Sequence, residues 1–269
     1  MNDPIADVTN FPQFPQAPVS VLETPMNLVA QTIVTSLWVA MCLFLLVMLV
    51  MDYRKHRSWV PTFMMIGCGL GLFYEPFWDH SFQLVHYIPG QWIVWTAFGV
   101  PQPLWISACY ISGFAAFPLV IFRKITNGDP VASFLPWIIV TLVAYEVVEI
   151  LMTGFGMYEY WGAHPFRIWK FPAYVAFGNA SGVFLAALGS AVIEMYERNP
   201  FTRAVGAILM FPLGFTAATY TTQMPMLIVL SRQTEVTGLT YFAGLLSMSL
   251  GCCLIWLFLR CLPLRPGRG

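Results

Sequence analysis

Acidic residues recur at helical spacing inside two strongly apolar stretches of this chain. Glu75 and Asp79 are four residues apart in the first stretch, and Glu146 and Glu149 are three apart in the second. Residues at these offsets lie on one face of an α-helix. An ionised carboxylate is costly in hydrocarbon, so we expect these groups to be protonated, paired or in contact with water. A protonated carboxyl group can donate a proton, which makes all four residues candidates for general acid chemistry.

Aromatic and amide side chains accompany these acids and would line a site around them. The candidates are Tyr74, Trp78, Tyr158, Tyr160, Asn179 and Gln223. The aromatic ones belong to segments 73–99 and 155–173, which are rich in Phe, Trp and Tyr. Such segments are typical of an interfacial aromatic belt, and they also fit a cap whose ring faces contact a ligand. For the two amides, ligand binding and hydrogen bonding between helices are both open.

Three histidines, His80, His86 and His164, belong to the same region. Their spacing matches no zinc-ligand pattern, so the sequence predicts neither a metal site nor a cofactor. Hydrogen bonding at the membrane interface is the simpler expectation for them. The six cysteines show no metal-binding or redox spacing either, and we expect them to be packing residues.

The composition identifies the elements that must position these residues. Of 269 residues, 58% are hydrophobic and 10% are charged, and the mean hydropathy is +0.69. Soluble domains carry about 25% charged residues, so a soluble enzyme is excluded, and so is a disordered chain. The net charge of zero gives no reason to expect a nucleic-acid partner.

Seven apolar stretches are long enough to cross a bilayer, which takes about 20 residues. They cover approximately residues 28–51, 60–78, 100–122, 134–153, 171–195, 204–230 and 237–259. The sequence therefore predicts an all-α, polytopic membrane protein with a seven-helix transmembrane bundle at residues 28–260. A polar, extended tail would precede the bundle at 1–27, and a basic tail would follow it at 261–269.

The basic residues predict an orientation in the membrane. Ten of the 13 Lys and Arg residues follow the odd-numbered spans, whereas Arg167, Lys170 and Arg232 lie on the other side. The positive-inside rule then places the N-terminus outside and the C-terminus in the cytoplasm. No predicted span contains Lys or Arg, so salt bridges with these residues are not expected to neutralise the four acids.

Several membrane-protein and enzyme classes are excluded by missing residues. A retinal protein needs a lysine in its last span, but the lysines are Lys55, Lys124 and Lys170. The sequence shows no inverted repeat of the kind found in transporters. It also lacks serine-nucleophile, Walker and HExxH motifs.

The second predicted span resembles part of a known enzyme family. Seven short-looped spans with acids facing a lipid-accessible cavity are similar to the membrane-integral terpene cyclases of fungal meroterpenoid pathways. Glu75, within the string FYEPF at 73–77, matches the aromatic-flanked glutamate in the second span of that family. The second acid of the family lies much later in the chain, where this sequence offers only Glu235.

A later segment resembles a second family, the membrane-integral carotenoid hydratases of bacteria. These proteins carry a glutamate followed by Gly-x-Tyr-x-Tyr and a later proline. The matching positions here are Glu149, Gly156, Tyr158, Tyr160 and Pro172. Both resemblances imply protonation of an alkene or epoxide, followed by ring closure or capture of water.

The sequence thus predicts a membrane enzyme that carries out acid-initiated cyclisation or hydration of a hydrophobic, isoprenoid-like substrate. Glu75 and Glu149 would be the proton donors, with Glu146 or Asp79 as partner. The bilayer would belong to a bacterial plasma membrane or to an internal membrane of a eukaryote. Two alternatives stay open: a non-enzymatic carrier or binding protein for a lipid or small solute, and a packing subunit of a membrane complex.

Overall fold

The computed structural model describes residues 17–262, and most of this part of the chain is helical. The helices are α1 (Val19–Leu22), α2 (Leu28–His56), α3 (Val60–Gly71), α4 (Glu75–Ser81), α5 (Leu104–Asn127), α6 (Leu135–Gly154), α7 (Tyr174–Tyr196), α8 (Pro200–Leu230) and α9 (Gly238–Cys261). Six of these, namely α2 and α5 to α9, are long and apolar enough to cross a membrane. The prediction of a helical membrane protein is therefore confirmed.

The predicted span at 60–78 is a broken helix. Helix α3 ends at Gly71, a 3-10 turn covers Leu72–Tyr74, and α4 continues from Glu75 to Ser81. Pro76 lies in the first turn of α4. Proline is tolerated there because its missing N–H has no partner within the helix. The break leaves α3 too short to be one of the six long helices.

Within residues 17–262, six short strands cover one end of the bundle as three two-stranded antiparallel sheets. They are β1 (Leu84–His86), β2 (Ile93–Ala97), β3 (Val100–Pro103), β4 (Tyr158–Tyr160), β5 (Arg167–Ile168) and β6 (Phe171–Pro172). Strand β1 pairs with β4, which places His86 opposite Tyr158. The two aromatic segments thus meet, and we call the region formed by β1 to β6 the cap.

The opposite end of the bundle carries basic residues and ion pairs. Arg123 at the end of α5 pairs with Asp52 of α2, and Arg203 Nη1 lies 4.0 Å from Glu194 Oε2. Ser58, just before α3, donates a hydrogen bond to the same Glu194 oxygen at 3.0 Å. The broken helix therefore leads from this basic end of the bundle to the cap.

Small residues allow α3 and α7 to pack closely against α8. A Cβ atom on Gly67 would lie 2.2 Å from the backbone oxygen of Ile208, and one on Gly182 would lie 2.6 Å from the ring of Phe215. Both glycines therefore lie in packing seams, where small residues let two helices approach closely. Since these seams face the interior of the chain, they give no support to a packing-subunit function.

The described part of the predicted N-terminal tail is folded against the cap region. The Met26 N–H donates to the Pro89 carbonyl at 2.9 Å, and the Asn27 N–H donates to the Gly156 carbonyl at 3.3 Å. Met26 is buried by these contacts. The remainder of the tail, residues 1–16, and residues 263–269 of the predicted basic tail lie outside the described residues.

Candidate active site

A cavity of about 60 Å³ lies between the cap and the helices, and we call it the polar cavity because titratable side chains line it. This volume is enough for a few water molecules. Two carboxyl groups reach the cavity from α4, one reaches it from α6, and an imidazole reaches it from β1. These groups belong to Glu75, Asp79, Glu149 and His86. The cavity therefore gathers titratable groups from elements that are distant in the sequence.

Two carboxylates and one imidazole meet on the cap side of the cavity. Glu75 and Asp79 occupy successive turns of α4, and His86 ends β1. The distance from His86 Nε2 is 3.5 Å to Asp79 Oδ2 and 4.0 Å to Glu75 Oε1. Asp79 and His86 are each 1% exposed, so bulk water does not solvate them.

Neutral donors hold the two carboxylates in place. The Tyr110 hydroxyl of α5 donates to Glu75 Oε2 at 2.5 Å, and Gln102 Nε2 of β3 donates to Asp79 Oδ2 at 2.7 Å. Among the described residues, neither ring nitrogen of His86 has a hydrogen-bond partner, and Asp79 Oδ1 has none. Buried polar atoms are usually paired. The two ring nitrogens of His86 and Asp79 Oδ1 could therefore still form hydrogen bonds or bind a ligand.

Glu149 lies across the cavity on α6. The Tyr158 hydroxyl donates a hydrogen bond to Glu149 Oε2, and the Tyr160 hydroxyl donates to the same oxygen at 3.5 Å. Both tyrosines belong to β4. Burial raises the pKa of both hydroxyls well above the usual range, so they remain protonated donors. The cap thus fixes the orientation of the Glu149 carboxyl group.

Aromatic rings form much of the remaining wall. Trp105 stacks on Tyr158 with ring centroids 5.6 Å apart, and the His86 ring packs edge-on against both. On another side, Trp78 meets Phe215 edge-to-face with centroids 5.7 Å apart. Aromatic faces attract positive charge, so the cavity is suited to a cationic species as well as to a proton donor.

A second cavity, which is mostly apolar, adjoins the polar one. It has a volume of about 200 Å³, lies among α2, α5 and α6, and shares Trp105, Glu149 and Tyr158 with the polar cavity. Glu149 therefore stands at the boundary between a polar and an apolar space. We refer to the second space as the apolar cavity.

The apolar cavity adjoins a wide groove between α2 and α6. This groove has a volume of about 550 Å³ and shares Trp38, Met41, Val148 and Met152 with the apolar cavity. Its outer walls include exposed apolar side chains such as Leu37 and Leu151. In a bilayer, lipid chains would contact these outer walls, and the inner wall of the groove is shared with the apolar cavity.

Most of the predicted site residues line the polar cavity. They are Glu75, Asp79, Glu149, Trp78, Tyr158, Tyr160 and Asn179. Glu146, Tyr74 and Gln223 do not line it. Gln223 instead donates from Nε2 to the Tyr174 carbonyl at 3.2 Å, which is the helix-to-helix role that the sequence left open for it. Tyr74 lies in the 3-10 turn and packs against the hydrophobic core.

Tyr110 and Gln102 are not among the predicted site residues, and His86 is predicted to have only an interfacial role. A phenol inside an apolar span was the available signal for Tyr110, whereas Gln102 and His86 belong to short strands without a local pattern. His164, in contrast, lies beside the site, where Nδ1 is 2.6 Å from the Tyr174 hydroxyl. Burial and the nearby Arg167 charge lower the pKa of His164 well below its usual range, so its ring is neutral.

Comparison with known proteins adds no relative to this description. No protein-family model matches the chain, and no curated protein and no solved structure matches it. The resemblances to terpene cyclases and carotenoid hydratases therefore stay predictions.

Proposed function

We propose that this protein is an integral-membrane enzyme that protonates a hydrophobic, isoprenoid-like substrate to start its cyclisation or hydration. The position of Glu149 carries the proposal, because this residue lines both the polar cavity and the apolar cavity. A reactive alkene or epoxide in the apolar cavity would meet a carboxyl group that Tyr158 and Tyr160 hold in place.

The succession of cavities supports a substrate with a long apolar part and a small reactive end. The groove between α2 and α6 has a volume of about 550 Å³, within the range of about 300–1,000 Å³ typical of ligand sites. A molecule dissolved in the bilayer would reach Glu149 through this groove and the apolar cavity without passing through water. This path favours a prenyl chain over a polar solute.

In the proposed reaction, Glu149 donates its proton to the alkene carbon or the epoxide oxygen. The carbocation that forms would face the rings of Trp105 and Tyr158, which stabilise positive charge. Attack by a second double bond closes a ring, and attack by water gives an alcohol. Loss of a proton to the Glu149 carboxylate would end the reaction and restore the acid.

Glu75 and Asp79 have a different proposed role from Glu149. The sequence assigns Glu75 and Glu149 the same task, but Glu75 lines only the polar one of the two adjoining cavities. We therefore propose that Glu75 and Asp79 hold the oxygen-bearing end of the substrate. Glu146 lines neither cavity, and its predicted role as a partner acid finds no support.

We also propose that the broken helix α3–α4 is a seventh membrane crossing, with the N-terminus outside and the C-terminus in the cytoplasm. The course of this helix from the basic end to the cap supports the crossing, and the basic residues support the orientation. A membrane-impermeant thiol reagent should label Thr96→Cys in intact cells and Asn127→Cys only after lysis, above the background of the native cysteines. The reverse labelling pattern would overturn the orientation.

The direct test of function uses the purified chain in lipid nanodiscs with farnesyl and geranylgeranyl chains that carry a terminal epoxide. Glu149→Gln keeps the shape of the side chain and removes the acid, so we expect a loss of about 10²–10⁴-fold in turnover. Full activity in Glu149→Gln would overturn the proposal, whereas Glu75→Gln tests the separate role in holding the substrate. Proton-coupled uptake of chemically unchanged probe into vesicles would instead identify a carrier.

A further inference from the structure

We propose that Glu75, Asp79 and His86 form a binding site for a divalent transition-metal ion such as Mn²⁺, Fe²⁺ or Zn²⁺. One ligand atom from each residue lies within 4.8 Å of those of the other two, and all three residues are buried. The site faces the polar cavity. This inference concerns metal binding and holds or fails independently of acid-initiated catalysis.

The distances between the ligand atoms are close to those of a metal site. With metal–ligand distances of about 2.1 Å, two ligand atoms at a tetrahedral angle lie about 3.4 Å apart. His86 Nε2 and Asp79 Oδ2 are 3.5 Å apart, and Glu75 Oε1 is 4.0 Å from the same nitrogen. The ligand atoms of all three residues lie within 4.8 Å of one another, so metal binding would draw the longer Glu75 side chain inward.

The unused bonding capacity of His86 is an independent indication of a ligand. This residue is 1% exposed, and neither ring nitrogen has a hydrogen-bond partner among the described residues. Buried polar atoms in native proteins almost always have a partner. The Nε2 atom lies 3.5 Å from Asp79 Oδ2 and 4.0 Å from Glu75 Oε1, so a metal ion held by the two carboxylates would be within its reach.

The charge of the cluster also favours a cation. Among the ion pairs of residues 17–262, His86 is the one basic group within 4.0 Å of Glu75 or Asp79. An imidazolium ion would neutralise one of the two carboxylates. A divalent ion neutralises both and leaves His86 as a neutral ligand, which removes the cost of an unpaired buried charge.

The surroundings have the features that support metal ligands. Gln102 donates to Asp79, and Tyr110 donates to Glu75, and such hydrogen bonds orient ligating carboxylates in metal sites. Two carboxylates and one imidazole suit Mn²⁺, Fe²⁺ or Zn²⁺ rather than Cu⁺, which prefers thiolates. The remaining coordination positions would be open to water or to a substrate oxygen in the polar cavity.

The absence of a metal-ligand motif in the sequence has a structural explanation. The expectation of no metal site rests on the spacing of His80, His86 and His164. The proposed ligands are one of these histidines and two acids. They come together because β1 turns back over α4.

The test measures metal binding by the full chain, purified in detergent and first treated with a chelator. Mn²⁺ is added, and the bound ion is quantified by elemental analysis and electron paramagnetic resonance. We expect about one Mn²⁺ per chain, with nitrogen hyperfine coupling from one imidazole. Asp79→Asn and His86→Ala should each weaken binding at least about tenfold, and Gln102→Leu should weaken it about tenfold.

Matched controls separate this site from general binding of cations to acids. Glu146→Gln, which removes a carboxyl group outside the cluster, should bind Mn²⁺ as the wild type does. Fewer than about one Mn²⁺ per ten chains at saturation, or equal binding by Asp79→Asn and wild type, would overturn the proposal. If the variants do not fold, absence of nitrogen coupling in the Mn²⁺-loaded wild type would overturn it as well.

Discussion

Two pairs of carboxyl groups with similar sequence spacing have different surroundings in this protein. Glu75 and Asp79 both face the polar cavity, and the cap supplies neighbours to each of them. Of the second pair, Glu149 lines this cavity and Glu146 does not. Helical spacing therefore predicts a shared face, but the neighbouring elements decide which members of a pair reach a site.

The difference between the pairs separates two kinds of chemistry. The first pair lies with a histidine in an enclosed polar cluster, which suits binding of a cation or of a polar group. Glu149 stands where polar and apolar spaces meet, which suits transfer of a proton to hydrocarbon. The two kinds of chemistry require different solvation, and both surroundings occur among the residues that line one small cavity.

The largest expected effect lies within the second pair. Glu149→Gln should lower turnover of the prenyl epoxides by about 10²–10⁴-fold, whereas Glu146→Gln should remain close to wild type because Glu146 lines neither cavity. Steady-state turnover in nanodiscs measures both variants. Equal losses of turnover in the two variants would show that Glu146 and Glu149 act together and would contradict the difference described for them.

A stability effect is expected on the face that carries the first pair. A Cβ atom on Gly67 would collide with the backbone of α8 at Ile208, whereas one on Gly69 would lie 3.2 Å from a side-chain carbon of Ile111. Gly67→Ala should therefore lower the free energy of unfolding by about 1–3 kcal/mol, and Gly69→Ala should lower it less. Thermal unfolding in detergent measures both. A larger loss in Gly69→Ala would contradict the packing described for α3.

A selective effect on substrate length is expected beside the second pair. Ala144 lines the apolar cavity, so Ala144→Trp fills part of the space beside Glu149. We expect about a tenfold loss with the geranylgeranyl probe, which corresponds to about 1.4 kcal/mol, and a smaller loss with the farnesyl probe. Val140→Trp on the exposed side of α6 is the control. Equal losses of turnover with both probes would indicate that the substrate chain does not occupy the apolar cavity.

The smallest expected effect is a pH dependence outside the membrane-spanning helices. His164 packs edge-on against Tyr160, which contacts Glu149, and burial and Arg167 lower the pKa of His164 in the folded chain. The unfolded chain protonates this histidine near pH 6.5, so stability should fall as the pH decreases below that value. Unfolding temperatures of wild type and His164→Gln, measured from pH 7.5 to 5, should show a smaller decrease in the variant. Equal slopes would contradict the neutral state of His164.

The sequence predicted the long helices well because each depends on a local property. A continuous apolar stretch with few charges is sufficient to indicate a span, and α2, for example, begins at the predicted residue 28. The broken helix is different. Its apolar composition continues through residues 72–74, whereas the backbone changes to a 3-10 turn there. Composition does not reveal that change.

The sequence predicts those parts of the candidate site that depend on helical spacing. It does not predict the parts that depend on the cap. Glu75, Asp79 and Glu149 were found because ionisable residues are conspicuous in apolar stretches. The contribution of His86 requires the pairing of β1 with β4. That pairing joins segments far apart in the sequence, and three-residue strands leave little periodicity to detect it.

The pairing of β1 with β4 has a consequence for synthesis of the chain. Tyr87, next to β1, bonds to Glu159 of β4, which is 72 residues later. At about 5–20 residues per second, the ribosome needs roughly 4–14 s to add that length. During this interval α4 and its two acids have been made, but the strand that holds His86 in place has not. The polar cavity therefore forms late in biogenesis, after α5 and α6 have been made.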